Sequence, residues 1–94
     1  MIFIFVVYSN AVDEEMLELV KKYTSGYSKF KDVEGEGHRD PHLGSHVWPV
    51  INNCIMTTLD KSKEKEFYDE IKKLKEKFPG VGIHTMAMNL KKEI

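Results

Sequence analysis

The sequence predicts an α+β domain, with two helices on one face of a four-stranded antiparallel sheet. Three observations lead there. The chain opens on a continuous apolar run, Ile2–Tyr8. Helical periodicity appears twice, at Met16, Leu17, Val20 and Tyr23 and again at Phe67, Ile71, Leu74 and Phe78. Three further strand-like runs, Tyr27–Glu34, Ile51–Leu59 and Val81–Leu90, complete the order β-α-β-β-α-β.

Each element has its local reason. Ile2, Ile4 and Val6 lie on one face of the first strand and Phe3, Phe5 and Val7 on the other, so the strand is expected to be covered on both sides. Asp13 is the expected N-cap of the first helix, with Glu14 and Glu15 placed to favour the helix dipole, and Gly26 is its expected stop. In the third strand Cys54, Met56 and Thr58 share one face, and Ile55, Thr57 and Leu59 the other. Asp60 or Ser62 is the expected cap of the second helix, and Pro79-Gly80 end it. The order is the split βαβ, or ferredoxin-like, arrangement. Both helices can cover only one sheet face, so the other is expected to be covered by a second subunit.

Ninety-four residues make one domain, 1–94, with a modest core, a size that gains from oligomerising. The formal charge is −1, from 14 basic and 15 acidic side chains, which speaks against nucleic-acid binding. A single cysteine, Cys54, allows no internal disulfide and fits a reducing, cytoplasmic compartment. The apolar start has no basic n-region and ends at Ser9-Asn10, so it reads as a strand rather than a signal sequence. No stretch reaches the length of a membrane span.

The chemistry concentrates in Gly35–Pro49, a loop of about fifteen residues with three glycines and two prolines. Three of the four histidines, His38, His42 and His46, lie in it four residues apart. Pro41, Gly37 and Gly44 oppose a helix there, but a loop can fold imidazoles around Zn, Cu or Ni, with Asp40 or Glu36 completing the set. The other reading is a solvated loop whose histidines bind nothing. The loop from Glu36 to Val47 is expected to be mobile without ligand, because it offers little apolar surface to offset ordering. Trp48 either anchors the loop onto the sheet or a neighbouring subunit, or stacks on a ligand. Cys54, Met56, Met86 and Met88 suit packing better than a soft-metal set, His84 suits a strand or interface position, and the Lys-rich second helix suits a solvated face. The sequence holds no nucleophile elbow or obvious carboxylate pair, and Gly35-x-Gly37 alone does not make a phosphate loop. No enzyme is expected.

Gly26-Tyr27-Ser28, with Val33-Glu34-Gly35-Glu36-Gly37-His38-Arg39 after it, resembles the stretch of PII signal-transduction proteins that leads into their T-loop. Pro41-His42-Leu43-Gly44-Ser45-His46-Val47-Trp48-Pro49, followed by Asn52 and Asn53, is similar to PII-like proteins of bacteria and archaea. The resemblance covers nearly the whole chain. It implies a homotrimer with sheets facing the threefold axis and a ligand site between subunits at the base of the loop. The ligand-binding residues it points to are Gly35, Gly37, His38, Arg39 and Trp48. Classical members bind adenine nucleotides and 2-oxoglutarate and report nitrogen or carbon status to partner proteins. Here the glycine-rich basic segment is reduced to Pro79-Gly80-Val81-Gly82 without lysine, the loop has no tyrosine, and His38-Arg39 stand where Arg-Gln is usual. These departures speak against nucleotide binding and favour a transition metal at His38, His42 and His46.

The expected function is therefore a trimeric PII-like sensor that binds a small ligand or metal near the loop and signals to a regulated protein, such as a transporter. Two alternatives stand beside it. One is a CutA-like metal-tolerance trimer. The other is a small ferredoxin-like, cofactor-independent monooxygenase, a dimer in which His84 would sit in an apolar pocket.

Overall fold

The computed structural model describes residues 1–35 and 51–94. Strand β1 is Ile2–Ser9, helix α1 Asp13–Tyr23, β2 Tyr27–Glu34, β3 Ile51–Leu59, helix α2 Glu64–Lys77 and β4 Ile83–Asn89. The strands form one sheet in the order β2-β3-β1-β4, with every neighbouring pair antiparallel. This is the ferredoxin-like arrangement that the element order predicts. β4 is shorter than the Val81–Leu90 run, because Val81 is held in the turn after α2, where its N–H donates to the Phe78 carbonyl at 3.0 Å.

The core lies between the helices and one sheet face. Ile2, Ile4, Val6 and Tyr8 of β1, Ile55 and Leu59 of β3 and Ile83 of β4 are buried against Val12, Met16, Leu19, Val20 and Tyr23 and against Phe67, Ile71 and Leu74. Tyr23 and Phe67 meet edge to face across the helix pair, with centroids 6.1 Å apart.

The caps differ from expectation. Asp13 is already helical, with φ −60° and ψ −44°. Val12 occupies the cap position and contributes no side-chain bond. The Asp13 carboxylate is drawn instead to three donors in the fold, described below. Ser9 caps a short 3₁₀ turn, Asn10–Val12, that leads into α1. Asp60 does the same before α2, where its carboxylate accepts from the Ser62 amide at 2.9 Å to cap the turn Lys61–Lys63.

The second sheet face is largely apolar, and no helix among the described residues lies over it. Register places Phe3 between Thr58 and Met88, Phe5 between Met56 and Met86, and Val7 between Cys54 and His84. Phe30 lies beyond Cys54 on β2. Phe30, Met56, Met86 and Met88 are exposed at 48, 36, 40 and 61%.

Candidate functional site at the base of residues 36–50

Of the expected ligand- and metal-binding residues, Gly35 alone lies within the described part. Gly37, His38, Arg39, His42, His46 and Trp48 lie outside the described residues, as does the expected mobility of Glu36–Val47. The structure does define where both ends of that segment leave the sheet. Glu34 pairs with Ile51, and Val33 with Asn52, so the segment begins and ends on adjacent strands. At Gly35 a Cβ would lie 4.0 Å from Asn52 Nδ2. That is ordinary contact, so the described surroundings do not require glycine here.

A compact polar cluster sits beneath these ends. The Asp13 carboxylate accepts from the Tyr8 hydroxyl at 2.7 Å and from Asn53 Nδ2 at 3.0 Å through Oδ1, and from Lys29 Nζ at 2.7 Å through Oδ2. The Asn53 side-chain oxygen accepts from the Asp32 amide at 3.1 Å. β1, α1, β2 and β3 thus converge on one carboxylate. Burial alone would raise the Asp13 pKa, but the hydrogen bonds from Lys29, Tyr8 and Asn53 outweigh it and hold the carboxyl below its ordinary 3.8. Tyr8 shifts the other way: burial, and then donation to the anionic Asp13, push its hydroxyl well above the usual phenol value. The cluster is therefore a carboxylate with a neutral phenol and an ammonium, bonded among themselves. Among the described residues, every side chain of the cluster is bonded to another member or to the backbone.

β2 is irregular at this point. Phe30 pairs with Cys54 and Val33 with Asn52, so three steps along β2 match two along β3, which makes a β-bulge. Asp32 sits in the bulge with φ 55°, a left-handed conformation that costs an ordinary side chain about 1–2 kcal/mol and that Asp tolerates better than most. Bulges are common beside binding sites, where they re-aim a strand.

Sequence reasoning noted Asn53 only as following the loop and missed Tyr8, Asp13 and Lys29 as a group. A signal was present in the alternation of β3. Asn53 occupies the same face as Ile55, Thr57 and Leu59, and a buried amide at a core-facing strand position must find partners.

Elsewhere the described residues offer little chemistry. Among them, no group of three or more His, Cys, Asp or Glu side chains could hold a metal. Cys54 is buried, and burial pushes its thiol pKa up, which leaves it less reactive. Cys54 and His84 flank Val7 on opposite sides, two strand spacings apart. His84 is exposed on the open face, so among the described residues it lies in no apolar pocket of the kind the monooxygenase alternative needs. The cleft between the helices is lined by charges of both signs, including Glu15, Lys22, Glu70 and Lys73. No helix among the described residues is long and apolar enough to cross a membrane.

Comparison with solved structures connects this architecture to known proteins. The chain matches a Thermus thermophilus protein assigned as a PII-like signalling protein with a TM-score of 0.67 and 20% identity, over 95% of this chain and 85% of that one. The fold is that of PII-like proteins. CPII of Thiomonas intermedia, a nitrogen regulatory PII-like protein with ADP, AMP and bicarbonate bound, matches with a TM-score of 0.64 and 10% identity, over 99% of this chain and 94% of CPII. A DUF3240 family protein of Shewanella baltica matches at 0.64 and 9% identity, over 98% and 92%. No family model matches the sequence, and no curated protein does. The likeness therefore lies in the backbone, at identities that share a PII-like fold and leave function to be argued from the site.

Proposed function

We propose that the protein is a cytoplasmic PII-like regulator in which three copies pack their open sheet faces around a threefold axis and bind a small ligand in the clefts beside Gly35 and Asn52. The observation that carries this reading is the uncovered apolar face of Phe3, Phe5, Val7, Phe30, Met56, Met86 and Met88 on a PII-like fold. A contiguous apolar face of this kind marks an association surface. Closing it with copies of the chain would bring the ends of residues 36–50 to subunit boundaries.

The ligand reading rests on residue chemistry. His38, His42 and His46 supply three imidazoles, suited to Zn, Cu or Ni. Gly35, Gly37, His38, Arg39 and Trp48 form the wider ligand-binding set. A regulated protein, such as a transporter, then responds to the occupied state. A second reading, an adenine nucleotide at the same place, is favoured by one observation: CPII, of the same fold, carries ADP and AMP.

Calorimetric titration of metal-free protein with Zn, Cu and Ni salts, and separately with ADP, tests both readings. Metal binding tighter than about millimolar is expected, weakening as pH falls through about 6.5 because imidazole must be neutral to ligate. His42→Ala and His46→Ala should weaken it. If wild type takes up no metal, or both variants bind as wild type does, the metal reading is wrong, and an ADP signal in that case selects the nucleotide.

A further inference from the structure

The bulge at Asp32, and the side chain that holds it, stand at the last turn of chain before the proposed ligand residues. A one-residue shift along a strand exchanges the faces of every residue that follows. Without the extra residue, Asp32 would pair with Asn52 and Val33 with Ile51, which would put the carboxylates of Asp32 and Glu34 on the open apolar face. With it, Val33 shares that face with Phe30, and Glu34 pairs with Ile51 on the other. The bulge thus keeps two negative charges off the surface proposed to meet other subunits, and it sets the direction in which Gly35 leaves the sheet.

We propose that Asn53 is a positioning residue, a latch whose carboxamide holds the Asp32 bulge and so fixes the face and register of Val33–Gly35. Its importance to ligand binding rests on the proposed site lying along the chain that follows. Asn53 is 5% exposed, and both ends of its carboxamide are engaged: the oxygen by the Asp32 amide, the NH₂ by Asp13. A carboxamide offers a donor and an acceptor together without a charge. Aspartate would set a second carboxylate against Asp13, and leucine, of similar shape, would lose both bonds. Asp13 is itself fixed by Tyr8, which is wholly buried, and by Lys29. The latch is therefore anchored in the core on one side and bears on the strand end on the other.

The test is amide exchange and cross-strand NOE spectroscopy on the whole protein without ligand. Wild type should show a protected Asp32 amide and contacts between Val33 and Asn52. In Asn53→Leu, Asp32 should exchange faster by about tenfold or more. The Asn52 contacts should move from Val33 to Asp32, while the amides of Ile4 and Val6 keep their protection. Adding Asp32→Gly, which accepts φ 55° without strain, should restore the Val33–Asn52 contact. The proposal is overturned if Asn53→Leu leaves contact and protection unchanged, or if the double variant keeps the shifted register. An unprotected Asp32 amide in wild type overturns it too, even where the variants fail to fold. None of these readouts uses a metal or a nucleotide, so failure of the ligand reading in calorimetry is a separate result.

Discussion

The two faces of the sheet are built from alternate residues of the same strands, with similar side chains and opposite fates. On one, Ile2, Ile4, Val6 and Tyr8 lie under the helices with at most 2% exposure. On the other, Phe3, Phe5 and Val7 are half-buried, and Met56, Met86 and Met88 flank them in the open. Hydrophobicity does not distinguish the faces; what lies above them does. A domain of this size has two helices to spend, and both go to one side. The apolar residues on the other side bring in about 25 cal/mol per Å² only when something covers them. Among the described residues, both helices lie over one face of the sheet and neither lies over the other.

Substitutions on the two faces should therefore separate folding from assembly. The largest effect is expected on the covered face. Phe67→Ala removes a wholly buried ring packed on Tyr23 and should lower unfolding stability by about 3–5 kcal/mol in urea titration. Met86→Lys on the open face should leave the far-ultraviolet circular dichroism unchanged and reduce the mass in solution, because a charge would have to be buried unpaired between subunits. If Met86→Lys instead unfolds the chain while Phe67→Ala is tolerated, the assignment of the faces is reversed.

The polar cluster is expected to contribute less than the core and more than the surface. Asp13→Asn weakens charge-assisted bonds to Tyr8, Lys29 and Asn53 and should cost about 1.5–3 kcal/mol. Because the folded-state pKa of Asp13 lies below the ordinary 3.8, its contribution is fully present above that value. It is lost as pH falls through the lower, folded value. Acid titration of wild type and Asp13→Asn should show their stabilities converging in that range, and a constant gap would contradict the assignment. The smallest effect is expected for the exposed Lys65–Asp69 pair on α2, 2.9 Å apart. Lys65→Ala should leave the urea midpoint almost unchanged, because a solvent-exposed pair of this kind contributes little.

The fold was legible because its signals are local. The doubly apolar β1, the stripe of Phe67, Ile71 and Leu74 and the Pro79-Gly80 stop each state their element in a few residues. The cap at Asp13 was misread for a long-range reason. Its partners Lys29 and Asn53 lie 16 and 40 residues away, and no window along the chain brings them together. The bulge at Asp32 was hidden for the same reason, since it exists only in the pairing of β2 with β3. Of the candidate ligand residues, Gly35 stands at the base of the segment, and the others lie outside the described residues. The positioning group beneath it, Asn53 above all, showed itself in sequence only as an amide among core-facing residues.

The central claim is that copies of the chain cover the open face three at a time. Sedimentation equilibrium at micromolar concentration, without ligand, tests it most directly. A mass three times the 10.9 kDa of one chain is expected. A monomer or a dimer would contradict it and remove the basis for a site between subunits.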